Sequence, residues 1–205
     1  MSRVSASGSP IVETLVVFLL VAVAQTIAGL VGAMVGLFVL TPPVTENPWT
    51  IVTSVYAHDN LGHLFSNSVA LVLFGWPVAR ATSRARFHAF FVTTGALAGV
   101  SQIWVAGAVF GVNAAVLGAS GAVFALLGYL LAANPIAEGL ASSVQLPQWF
   151  VWLVFLAMAA VVTVATASPR AALIAHFVGF LLGLVAGRAR LLKVDDRRPA
   201  ESVVA

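Results

Sequence analysis

Residues 117–134 read Leu117-Gly118-Ala119-Ser120-Gly121-Ala122-Val123-Phe124-Ala125-Leu126-Leu127-Gly128-Tyr129-Leu130-Leu131-Ala132-Ala133-Asn134, without a single charge. A run of this length and apolarity suits a helix buried in a bilayer. At its start stands a hydroxyl, Ser120, between Gly118 and Gly121. Far downstream a second apolar run, 171–190, carries one histidine, His176, followed by Gly179 and Gly183 at i+3 and i+7.

The whole chain supports a membrane reading. Of its 205 residues 60% are hydrophobic and only 8% are charged, with a mean hydropathy of +1.03. A soluble domain carries roughly 25% charged residues. Six apolar segments can be placed near 11–40, 61–80, 88–110, 117–134, 149–167 and 171–190. The expected fold is therefore an all-α integral membrane bundle of six transmembrane helices over 11–190. A short cytoplasmic tail, 1–10, precedes it, and a charged, disordered cytoplasmic tail, 191–205, follows. The first segment is overlong for a span of about 20 residues, so it tilts or its end enters the next loop. Ala22-Val23-Ala24 has the look of a signal cleavage site, but the apolar run continues to Leu40. That exceeds a signal core of about 7–15 residues, and the segment reads as an uncleaved helix.

The pI near 10.2 invites a nucleic-acid reading. The positions of the basic residues oppose it, since no basic stripe is interleaved with aromatics. Arg3, Arg80, Arg84, Arg86, Arg188, Arg190, Lys193, Arg197 and Arg198 all fall in alternate connections, and Arg170 is the exception. Basic residues bias their loops to the cytoplasm. Both termini and the loops 81–87 and 135–148 are thus placed inside; the loops 41–60, 111–116 and 168–170 are placed outside. The chain has no cysteine, which excludes disulfides, thiolate metal sites and cysteine nucleophiles. No internal repeat supports an inverted-repeat transporter.

On this topology His58, His63 and Asn67 lie at the outer start of the second span. Ser120 lies at the outer start of the fourth, and His176 about one turn into the sixth. Each has a bland reading. Ser120 alone is more often a small residue at a close helix contact. His176 can be satisfied by a backbone carbonyl, Asn67 can be interhelical glue, and His88 reads as an interfacial residue on the other side. What the bland readings leave unexplained is the agreement in depth. Polar side chains inside a span are costly and usually functional.

The chemistry explains the set. A serine hydroxyl needs a neighbouring base to take its proton, and His176 is the histidine at the right depth. Gly179 and Gly183 let its helix approach Gly121. A tetrahedral intermediate needs donors aimed at its oxyanion. His63 and Asn67, at i and i+4, share a helix face, and the Ser120 backbone amide sits at a helix start. Glu13 is the only acid within the spans, at the cytoplasmic end of the first. Asp59 is expected to cap the second helix together with Asn60. A Ser–His dyad follows, and abolished turnover in a folded Asp59→Ala variant would oppose it.

These residues resemble the rhomboid family of intramembrane serine proteases. The matching pieces are Gly118-Ala119-Ser120-Gly121, Ala175-His176-x-x-Gly179-x-x-x-Gly183, and His58-x4-His63-x3-Asn67, preceded by Trp49. The resemblance implies Ser120 as nucleophile, His176 as general base, and His63, Asn67 and the Ser120 amide as oxyanion hole. It implies His58 as a structural histidine and Phe124 as the ring packed against the catalytic histidine. Two departures stand out. Thr50 occupies the place of the usual Arg after Trp49, and the first external loop, about 20 residues, is short, where relatives often carry small helices. The resemblance implies cleavage of transmembrane protein substrates in the cell membrane near its outer face. It further implies a small residue before the scissile bond and a gate between the second and fifth helices. No metal or organic cofactor is expected. Two rivals are a catalytically silent, client-binding relative and a small channel or transporter with a polar path through His63 and His176.

Overall fold

The computed structural model describes residues 8–134, 147–166 and 172–193. Arg3, Arg170, the loop 168–170, most of the loop 135–148 and the tail beyond Lys193 lie outside the described residues.

Helix α1 (Pro10–Leu30) begins with proline in its first turn, where a missing N–H costs nothing. It stops before the expected segment does. Gly32, at φ 72°, breaks the run, and a short helix α2 (Met34–Phe38) follows. The overlong segment is therefore one span whose end enters the loop. That loop is not devoid of structure, because α3 (Thr50–Tyr56) forms within it. Trp49 Nε1 donates to the Gly36 carbonyl at 2.8 Å, and Thr53 Oγ1 donates to the Leu37 carbonyl at 2.6 Å. Thr50 is buried and donates to the Asn47 carbonyl at 2.6 Å. It thus serves as a local turn group at the position where the resemblance leads to an expected arginine.

Helix α4 (Leu61–Ala70) continues through a π-helical stretch, Leu71–Gly75, into α5 (Trp76–Ala81). Ser83 caps α6 (Arg84–Phe110), which Gly111 ends at φ 66°. Then follow α7 (Ser120–Ala132), α8 (Gln148–Ala165) and α9 (Leu173–Arg188). All named elements among the described residues are helical. Four spans have the length and apolarity to cross a bilayer: α1, Leu61–Ala81, α6 and α8. Helices α7 and α9 are apolar but shorter, at 13 and 16 residues. At 1.5 Å per residue a 13-residue helix is roughly 20 Å long, less than a hydrocarbon core of about 30 Å.

The short helices hold the centre. Leu126 and Val123 of α7 are buried with Phe87, Phe90 and Phe91 of α6. On the other side α9 meets α7 backbone to backbone. A Cβ added at Gly179 would collide with the Gly121 carbonyl, and one at Gly183 with the Ala125 carbonyl. Lipid supplies no hydrophobic drive between helices, so close van der Waals contact between small residues holds such a pair. By contrast, α8 fully buries only Ala159, and its Val161 and Val164 face outward.

At the opposite end from Ser120, the acid within the first span is paired. Glu13 meets Arg84, and its second oxygen lies 2.8 Å from His88 Nε2. His88, expected as an interfacial residue, thereby joins α6 to α1. Arg86 donates to the Lys193 carbonyl at 2.9 Å.

Candidate active site

The chain before Ser120 is held from two directions. Leu40 and Val116 exchange both backbone hydrogen bonds at 2.9 Å, and the Gly118 N–H donates to the Ser54 carbonyl at 2.8 Å. The segment between the first two spans therefore sets the path by which the chain reaches Ser120. Gly118 adopts φ 128°, a conformation that side chains disfavour. A Cβ there would sit 2.6 Å from His63 Cε1 and 2.9 Å from its Nε2. Gly118 is thus the point at which the loop lies flat against the His63 ring.

Ser120 opens α7, so its N–H is one of the helix-start donors without an intrahelical acceptor. Its Oγ lies 3.0 Å from His176 Nε2. Phe124, one turn on, packs its ring 4.5 Å from the His176 ring, centre to centre. The Nδ1 of His176 is buried and has no hydrogen-bond partner among the described residues. Ser120, His176, His63, Asn67, Asp59 and Phe124 all line one pocket of about 560 Å³.

Asn67 is buried, and its Nδ2 donates to the His63 carbonyl at 3.1 Å. An amide has two N–H donors, which leaves a second for the pocket. Asn60 caps α4 by accepting the His63 N–H at 2.9 Å. Asp59 does not share that cap. Its Oδ1 lies 2.7 Å from His63 Nδ1 instead, because the preceding turn carries it past the helix start onto the imidazole.

His58 lies buried between two rings, 4.9 Å from Phe18 and 5.1 Å from His63. Burial pushes its imidazole down to about 4; a positive charge on His63 acts in the same direction, against the Tyr56 carbonyl and Asp59.

Two positioning glutamines escaped the sequence reading. Gln25 of α1 binds the His58 backbone at both ends. The Gln102 Oε1 of α6 accepts the N–H groups of Ile174 and Ala175, at 3.0 and 3.1 Å, capping α9 one residue before His176. The available signal was an amide side chain inside each of two spans, where it needs a partner.

Fold and site together define a class: a multi-pass helical membrane protein that brings a serine hydroxyl and an imidazole together at one end of the bundle. A family model, the Rhomboid domain, matches residues 45–193, and the chain belongs to the rhomboid family. Its members are generally serine intramembrane proteases, with inactive relatives among them. No curated protein matches the chain.

Proposed function

We propose that this protein is an intramembrane serine endopeptidase that cleaves transmembrane protein substrates near the outer membrane face. The observation that carries the reading is the 3.0 Å approach of Ser120 Oγ to His176 Nε2, in a pocket that His63 and Asn67 also line. Silent relatives typically lack the serine or the histidine, and both are present here.

In this reading His176 Nε2 takes the Ser120 proton as Oγ attacks the carbonyl carbon of the scissile bond. Charge develops on the carbonyl oxygen, where the Ser120 amide, Asn67 Nδ2 and His63 meet it. His176 then protonates the leaving amine, and an acyl-enzyme remains on Ser120. A water, deprotonated by the same imidazole, attacks the ester and releases the second fragment. Two groups do this work, a Ser–His dyad, with the His176 ring held by Phe124 and by the close α7–α9 contact.

The distribution of basic residues supports cytoplasmic termini and a pocket toward the outer face, and the cell membrane is the proposed location. A substrate helix enters laterally between α4 and α8. The slight burial of α8 suits it to move, and Thr166 just beyond its end lines the pocket. The test is cleavage of a fluorogenic transmembrane substrate by purified protein, beside Ser120→Ala and His176→Ala. Cleavage by the wild type alone is expected. Equal cleavage by all three forms would sink the reading.

A further inference from the structure

Among the described residues the pocket has one acid, and no hydrogen bond joins it to the nucleophile or its base. Among the described residues lining the pocket, Asp59 is the acidic one, and its Oδ1 lies 2.7 Å from His63 Nδ1. A hydrogen bond at one ring nitrogen fixes the tilt of the imidazole and hence the direction of its other edge.

The opposite edge of the same ring faces the nucleophile's loop. Cε1 and Nε2 are the atoms that a Gly118 Cβ would meet, two residues before Ser120. His63 therefore bridges Asp59 on one edge and the approach to Ser120 on the other. The surrounding groups are few. His58 presents its ring 5.1 Å away, α9 contributes His176, and α7 contributes Ser120 and the glycines beside it.

We propose that Asp59 is a positioning residue whose carboxyl group holds the His63 ring by its Nδ1 edge, so that the Nε2 edge is aimed at the oxyanion. This rests on the proteolytic reading above. Orientation matters because an oxyanion donor helps only when it is already aimed at the developing charge. The pair itself is partly exposed, with side chains 28% and 39% accessible. A pair of this kind adds little to folding, so structural and catalytic roles separate.

The test measures kcat and KM for wild type, Ser120→Ala, Asp59→Ala, Asp59→Glu, His63→Ala and the Asp59→Ala/His63→Ala double variant, with melting temperatures alongside. Asp59→Ala is expected to lower kcat about tenfold with KM unchanged and to melt within a few degrees of wild type. Asp59→Glu, which keeps the carboxylate, recovers most of the turnover. In the His63→Ala background the Asp59 substitution adds less than about twofold, since the ring through which it acts is gone. A loss of equal size in both backgrounds, a loss carried by KM, no recovery with glutamate or a collapsed melting temperature overturns the proposal. Undiminished cleavage by Ser120→Ala instead removes the proteolytic reading beneath it.

Discussion

Gln25 grips both backbone groups of His58. Its Nε2 donates to the His58 carbonyl at 3.1 Å, and its Oε1 accepts the His58 N–H at 3.0 Å. The clasp ties the first span to the turn from which α4 starts. Through that turn it also sets Asp59, Asn60 and His63. A buried backbone without partners is costly, and here the bundle supplies them from a different helix.

Gln25→Leu should therefore destabilise the fold more than an ordinary surface change. Each buried group left without its partner costs about 1–3 kcal/mol. Thermal unfolding in detergent is expected to shift down by several degrees, with turnover falling as α4 loosens. An unchanged melting temperature would mean that water replaces the glutamine.

Gly179 is the tightest test of the α7–α9 contact. A side chain there meets the Gly121 carbonyl, a backbone atom that cannot swing away. Gly179→Val should separate the two helices and reduce turnover at least about 100-fold, in line with the sensitivity of catalysis to misplacement of about 1 Å. Gly29→Ala is the control, since nothing lies within 4 Å of a Cβ at that position. Its activity should match wild type.

Asn67→Ala removes one proposed oxyanion donor. Turnover is expected to fall by up to about 10²–10³, the range seen for such donors elsewhere, with KM little changed. An unchanged kcat would take Asn67 out of the site and leave it as a packing residue.

Gln102→Ala tests a cap supplied in trans. The N–H groups of Ile174 and Ala175 lose their acceptor, and the first turn of α9 carries His176. Loss of an N-terminal cap costs roughly 0.5–2 kcal/mol. Turnover should fall about tenfold in kcat, whereas Gln102→Glu, which keeps the acceptor, retains more of it.

Acid should weaken the fold through His58. Its folded value is lowered to about 4, from an ordinary 6.5. Between those values the unfolded chain binds a proton that the folded chain refuses, so stability is full above pH 6.5 and declines as pH falls toward 4. The loss amounts to roughly 3 kcal/mol over that window. Unfolding at pH 7 and pH 5 should show a larger drop for wild type than for His58→Gln. Equal drops would assign the acid sensitivity to other groups.

Much of the candidate site was legible in the chain because membrane helices make their own polar exceptions visible. Ser120, His63, Asn67 and His176 stand out in apolar runs, and their depth follows from counting residues. The close-contact glycines were legible for the same reason, by their spacing on one face of α9. The role of Asp59 was not. Next to Asn60 at a helix start, an aspartate reads as a cap, and only the turn decides which of the two accepts the His63 N–H. The break at Gly32 was hidden as well, since the apolar run passes through it without a change of composition.

The sequence by itself determined the membrane class, the helical architecture, the charge asymmetry and the candidate site residues, because each depends on local composition and spacing. Tertiary structure alone decided which of those residues meet. The 3.0 Å Ser120–His176 approach, the Gln25 and Gln102 clasps and the Asp59–His63 pair each join groups through how segments turn and pack. A hydrogen bond depends on distances of tenths of an ångström, and only the packed backbone sets them.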